Sequence, residues 1–323
     1  MTRDGAGTEA APAPSGARGL RPLLAAQGGL APGPDPAALA GDSPDVLAGK
    51  AAAENFPVAL RLLPRRYRGR LMAVYNFART VDDVGDEAPP NQRLELLDEL
   101  DDDLARLYAA GPASMPGSPP RYLAVQGLAD VVADCGIPQQ CFRDLIDANR
   151  QDQVVTRYET FEELLGYCAL SANPVGRIVL YVFGSSTPER AVLSDAICSG
   201  LQIVEHLQDV AEDFRAGRVY LPAADLHSHG CTEDDLGGRD ASPQLRRLIA
   251  FEVARAAALI NSGAPLVGHL RGAARVAVAG YVAGGRAAIA AITLARYDVI
   301  AATPKPGKGR TARELVGLLV RGR

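Results

Sequence analysis

Two aspartate pairs carry the first chemical signal in this 323-residue chain. Asp82 and Asp86 stand four apart in D-D-V-G-D, with Asp83 beside them, and Asp209 and Asp213 repeat the spacing in Q-D-V-A-E-D. Residues at i and i+4 share a helix face, so each pair aims two carboxylates at one point. Unless water screens that face the charges repel, and a divalent cation is the natural remedy. Carboxylate oxygens suit Mg2+, which keeps several waters and bridges to substrate phosphates. The plain alternative is a solvated acidic face, which is how we read Asp98, Asp102 and Asp103. The neighbours favour a site. Tyr75, Arg79, Asp83 and Asp86 step by 4, 4 and 3, and Gln202, Glu205, Asp209 and Asp213 step by 3, 4 and 4 along the apolar run from Ile197 to Val210. Polar stripes bordered by apolar residues point to a lined cavity rather than a wet surface. Arg79 and Arg218 add planar forks of donors suited to diphosphate oxygens. An anionic leaving group drawn off by Mg2+ and Arg in an apolar cavity is the logic of ionisation to a carbocation.

The elements that must hold these residues read as helices. Leu60, Leu63, Tyr67, Leu71, Val74 and Ala78 recur at three and four, as do Leu94, Leu97, Leu100, Leu104 and Leu107, which is the helical period. Breakers separate the runs at Pro89-Pro90, Gly111 to Pro120, Pro138, Pro188, Pro222 and Gly237-Gly238. The expectation is an all-α, single-domain bundle of eight or more helices over residues 46–303. Residues 1–45, with seven prolines in the first 44 positions and no aromatic before Phe56, are expected to be a disordered tail. From residue 304 the chain is basic, and Ala312 to Leu319 reads as a short amphipathic helix within a solvated tail, or one resting on anionic lipid.

Composition narrows the function. The chain is 47% apolar and 22% charged with a formal net charge of −4, which fits a soluble globular protein and argues against a nucleic-acid partner. Five scattered cysteines never form C-x-x-C, so a reducing cytoplasm is the default. No signal peptide is expected, and Val276 to Ala295, interrupted by Arg286, reads as a packed helix rather than a membrane span. Serine-hydrolase, phosphate-loop, zinc-protease and dinucleotide-binding motifs are all missing.

Six blocks in order then resemble the squalene/phytoene synthase family: N-F-P-V-A-L-R-L-L-P (55–64), Y-N-F-A-R-T-V-D-D-V-G-D (75–86), R-Y (157–158), Y-C-A-L-S-A-N-P-V-G (167–176), L-Q-I-V-E-H-L-Q-D-V-A-E-D (201–213) and G-R-V-Y-L-P (217–222). The resemblance implies an isoprenoid-synthase helical bundle around a central apolar cavity, Mg2+ as cofactor and a prenyl diphosphate as substrate. By motif position it implies Asp82, Asp86, Asp209 and Asp213 as metal-binding catalytic residues, with Glu205 where the family often has Asn. It also implies Asn55, Phe56, Tyr75, Arg79, Tyr158, Arg218 and Tyr220 as substrate-binding residues and Tyr167 as part of the catalytic pocket. Core packing competes as a reading of Tyr158 and Tyr167, and a surface ion pair as a reading of Arg157, Arg177 and Arg218, of which Arg218 is the one favoured for the site.

Within the family, E-N-F-P-V (54–58) and S-A-N-P-V-G-R (171–177) are similar to the hydroxysqualene synthase branch of hopanoid biosynthesis. That branch ionises presqualene diphosphate and quenches the rearranged cation with water, so no NADPH is expected. Asn173 then reads either as an amide that orients the water or as the shaper of a helix break with Pro174. The rivals are a synthase joining two prenyl diphosphates to presqualene diphosphate, squalene or phytoene, and a non-catalytic assembly protein of the same fold. A cytoplasmic enzyme in contact with the inner face of the membrane, and with neighbouring enzymes of its pathway, is the cellular setting such a product implies.

Overall fold

Helices begin and end where the breakers fall. In this computed structural model, which describes residues 63–109 and 120–321, helix α1 spans Arg65–Glu87 and stops at Ala88, ahead of Pro89-Pro90. Helix α2 follows over Arg93–Ala109, α3 over Gln139–Asp152, α4 over Phe161–Ser171 and α5 over Asn173–Val182. Then come α6 (Pro188–Gln208), the single short turn set α7 (Val210–Arg215), α8 (Pro243–Gly263), α9 (Gly272–Leu294) and α10 (Lys308–Arg321). Four- to seven-residue helical pieces fill the connections. Among the described residues there is no strand, only an isolated bridge between Arg157 and Val219. The expected tail over 1–45, and the expected substrate positions Asn55 and Phe56, lie outside the described residues.

Local chemistry sets several starts. Thr160, Thr187 and Ser242 each sit in extended backbone and accept a hydrogen bond from the amide three residues on, opening α4, α6 and α8. Each such cap contributes about 1 kcal/mol. Pro188 and Pro243 occupy the first helical position, where the missing N–H costs nothing and φ is already helical.

Two apolar clusters organise the bundle. One joins α1, α2, α3 and α5 through residues such as Leu71, Phe77, Leu97, Phe142 and Ile178. The other joins α4, α6, α8, α9 and α10 through residues such as Leu164, Ile203, Leu248, Ile260 and Val282. Burying each such side chain contributes roughly 2 kcal/mol against conformational entropy. The central pair, α6 and α8, comes together at Gly200, where a Cβ would stand 2.7 Å from Ile260 Cγ1. Salt bridges fasten α2 to α3, Arg143 to Asp101 at 2.8 Å and Arg150 to Asp98 at 2.6 Å.

The expectation for the C-terminal segment changes here, while the reading of Val276 to Ala295 as a packed helix agrees with α9. The basic C-terminal segment is not simply a solvated tail, because Leu315, Leu318 and Leu319 of α10 pack into the second cluster. Helix α9 is long and apolar enough to cross a membrane, yet Ala279, Val282 and Ala283 are buried in that same cluster. Its Arg286 donates to Asn261 Oδ1 of α8 at 2.8 Å.

Candidate active site

The first aspartate motif is buried because the apolar stripe of α1 runs into it. Leu71, Val74, Ala78 and Val81 descend one face, and Asp82 and Gly85 continue it, leaving Asp82 only 6% exposed. Asn149 of α3 meets it there, donating from Nδ2 to Asp82 Oδ1 at 3.1 Å. Any side chain in place of Gly85 would collide with that Asn149 amide, which accounts for the glycine inside D-D-V-G-D. Burial, then repulsion from Asp86, pushes the Asp82 carboxyl well above its ordinary range. Burial raises Asp86 to about 7 against the pull of Arg218, whose Nη2 lies 3.6 Å from Asp86 Oδ1. Asp83 does not join this pair. It forms a salt bridge with Arg79, which also reaches Glu87 at 3.2 Å. The expected stripe of Tyr75, Arg79, Asp83 and Asp86 is therefore divided: Tyr75 is buried, Arg79 and Asp83 pair, and Asp86 turns to Arg218.

The second motif is built differently. The spacing implied one continuous helix, but α6 ends at Gln208 and Asp209 sits at φ −105°, ψ 13° before α7. The Asp213 amide still donates to the Asp209 carbonyl at 2.8 Å, so the four-residue relation survives across the bend. Glu205 lies one turn earlier, its carbonyl accepting from the Asp209 amide. Gln202 is drawn aside to His206, with 3.0 Å between Gln202 Nε2 and His206 Nε2. His206 lies in the site wall: it stacks on Tyr220 with ring centroids 3.6 Å apart, and its Nδ1 is 3.7 Å from Asp213 Oδ2.

The segment G-R-V-Y-L-P links the two motifs. Gly217, at φ +84°, permits a left-handed turn that other residues resist, and the Arg218 amide then donates to the Asp213 carbonyl. Val219 donates to the Thr156 carbonyl at 3.0 Å and Ala223 to the Tyr158 carbonyl at 2.9 Å. The result sets Tyr158, Tyr167 and Tyr220 with centroids 5.6 to 5.8 Å apart. Core packing and a pocket wall, the two readings of Tyr158 and Tyr167, are thus one arrangement.

Arg218 is 8% exposed and faces Asp152 at 3.9 Å as well as Asp86. No local pattern marks Asp152, which closes α3 outside any acidic spacing. It accepts a hydrogen bond from Tyr167 Oη at 2.8 Å. Burial lifts it to about 6, while Arg218, the Tyr167 hydroxyl and His206 hold it down. Glu252 of α8 was missed for the same reason. It is 1% exposed, 3.2 Å from Arg255, and lines a small cavity shared with Asp213, Arg218 and Tyr220.

Other expected residues stand apart. Asn173 opens α5 and its Oδ1 accepts from Ser199 Oγ at 2.9 Å, the kind of contact that shapes a helix break. Arg157 pairs with Glu233 and Arg177 with Asp195, the surface readings of both.

Among the described residues, no three His, Cys, Asp or Glu side chains converge as a ready metal cage. The two aspartate pairs nevertheless fit Mg2+, which takes one or two carboxylates and completes its shell with water and substrate phosphate. The buried, mutually repelling Asp82 and Asp86 are the observation that favours such an ion.

This geometry agrees with what the chain is similar to. A model of the squalene/phytoene synthase family matches residues 50–312. The hydroxysqualene synthase of Rhodopseudomonas palustris is 38% identical over 221 residues, 68% of this chain and 72% of that protein. The hydroxysqualene synthase of Sinorhizobium fredii is 36% identical over the same shares. Among solved structures, the squalene synthase HpnC of Alicyclobacillus acidocaldarius is 40% identical with a TM-score of 0.70, covering 78% of this chain and 94% of that one. The helical bundle and the match over most of the chain agree, and the chain belongs to the squalene/phytoene synthase family.

Proposed function

We propose that this enzyme converts presqualene diphosphate to hydroxysqualene, with Mg2+ as its metal. The reading is supported by hydroxysqualene synthases among its relatives. The observation that carries it is the placement of Arg218 between buried acids and a tyrosine wall: Asp86 and Asp152 flank the guanidinium, and Tyr158, Tyr167 and Tyr220 stand beside it. Asp82, Asp86, Asp209 and Asp213, with Glu205 one turn away, would hold Mg2+, whose charge neutralises a leaving diphosphate.

The chain's own groups do the rest. Arg218 is pre-aimed at the acidic pair, so it reaches diphosphate oxygens that approach the same point. Arg79, held by Asp83 and Glu87 on the neighbouring stripe, extends the positive edge of the site. The tyrosine faces present negative quadrupole density to a carbocation. The apolar lining of Leu164, Ile203, Leu207 and Val210 keeps bulk water from the cation. Asn173 fixes the corner between α4 and α5 through Ser199, behind the helix that carries Tyr167.

The test is incubation of the purified protein with Mg2+ and either presqualene diphosphate or farnesyl diphosphate, without NADPH, with products identified by mass spectrometry. Hydroxysqualene from presqualene diphosphate supports the proposal. Consumption of farnesyl diphosphate alone moves the enzyme to the condensing branch of its family, and turnover of neither overturns the catalytic reading.

A further inference from the structure

The proposed reaction consumes one water in a site that must otherwise exclude it, and a cation captured by water must shed a proton. We propose that Glu252 is the group that accepts this proton, from a water held in the cavity between Glu252 and Tyr220. The inference rests on the hydroxysqualene reading given above.

The cavity lies between α4, α6, α8 and the segment 218–222. Leu164, Ile203, Leu207 and Val210 make it mostly apolar, and two polar atoms on its lining stand out. Glu252 Oε2 and Tyr220 Oη are both buried and make no hydrogen bond of ordinary geometry, although Tyr220 lies against Arg218 and Glu252 against Asp225. Burying a polar atom without a well-formed hydrogen bond is costly, and two such atoms on one small cavity are the partners an internal water needs. Tyr220 belongs to the tyrosine wall, so a water on its hydroxyl borders the cation pocket. Glu252 lines the same cavity from α8, a helix that carries neither aspartate pair.

Its surroundings suit a proton acceptor. On its own helix Arg255 lies 3.2 Å from Glu252 Oε1 and also pairs with Asp225 at 2.6 Å. Asp225, on the turn after Pro222, opposes ionisation of Glu252, and Asp213, Arg218 and His206 face the cavity from the other side. Burial is the main reason the Glu252 carboxyl is raised to about 8, which makes its anion a stronger base than an ordinary carboxylate. The step balances. The carbon–oxygen bond to diphosphate breaks with its electron pair on the leaving group, a water lone pair forms the new carbon–oxygen bond, and one O–H bond breaks with its proton passing to Glu252 Oε2. The proton leaves to solvent before the next turnover.

The experiment compares wild type with Glu252→Gln, an isosteric change that cannot take the proton. With presqualene diphosphate and Mg2+, both diphosphate release and the share of hydroxysqualene among products are measured. We expect the hydroxysqualene share to fall at least tenfold, replaced by alkenes, with a much smaller fall in diphosphate release. In wild type that share should rise with pH through about 8, because the carboxylate is the acceptor, and the limb should vanish in Glu252→Gln. A variant with the wild-type share and pH profile overturns the inference while leaving the proposed function intact. Failure of the wild type to turn over presqualene diphosphate overturns that function instead. Should Glu252→Gln not fold, a wild-type product share that stays flat from pH 6 to pH 9.5 overturns the inference by itself.

Discussion

The two aspartate pairs share a spacing and little else. Asp82 and Asp86 ride an unbroken 23-residue helix, are gripped by Asn149 and Arg218, and are lifted in pKa by burial. Asp209 and Asp213 straddle a bend, where Asp209 ends one helix and precedes the next, and Asp213 faces His206. The first pair is rigid and electrostatically uncomfortable without a cation. The second keeps its four-residue relation across the bend through a backbone hydrogen bond. Metal affinity should therefore reside mainly in the first pair.

The harshest tests of this contrast are alanine substitutions. Asp82→Ala and Asp209→Ala should each lower turnover by about a thousandfold or more, since the carboxylates act on charge that develops at the leaving group. In the metal-free protein, Asp82→Asn removes a buried repulsion and should raise the melting temperature. Near-wild-type turnover in both alanine variants would end the mechanism as stated.

Gly85→Ala comes next. The added methyl displaces Asn149 from Asp82, and overpacking of this kind costs about 1–3 kcal/mol. Activity should drop tenfold or more, measured as kcat with saturating Mg2+, and Asn149→Ala should reproduce much of the loss without the clash.

The pH dependence of the metal-free protein has a definite sign. Asp86 titrates near 7 and Asp152 near 6 in the folded state, both raised by burial. Carboxyls raised above their unfolded values make the folded state bind more protons, so stability falls as pH rises from about 4 through 7, and Glu252, raised to about 8, carries the fall further. Mg2+ binds the ionised pair, so the rise in melting temperature it produces should be larger at pH 8 than at pH 5.5. An equal rise at both values, read by calorimetry, would contradict a cation seated on Asp82 and Asp86.

The smallest effect belongs to the surface. Arg157→Ala removes an exposed pair with Glu233, worth about 0–1 kcal/mol, and should leave the product profile as it is.

Much of this was legible in the chain. Helical period and breakers located α1, and spacing located both aspartate pairs, because a short local pattern encodes each. Asn149, Asp152 and Glu252 were not legible, since each enters the site from a helix whose own sequence looks ordinary. Only packing at Gly85, the Tyr167 hydroxyl and the cavity floor give them roles. The bend at Asp209 was equally hidden, as nothing in Q-D-V-A-E-D is a strong helix breaker. Downstream of it the chain turns at Gly217 and the Arg218 amide docks back onto the Asp213 carbonyl.

The bridge between Arg157 and Val219 has one more consequence. Amides of Val219, Ala223 and Ala224 all bond to carbonyls within residues 156–159, and Arg218 and Tyr220 hang from the stretch they secure. Those amides form a latch whose hydrogen exchange with solvent reports on both side chains together. If the latch opens, the guanidinium and the phenol are lost in one event, so partial damage to this segment yields a mixture of intact and inert molecules rather than a uniformly weakened enzyme.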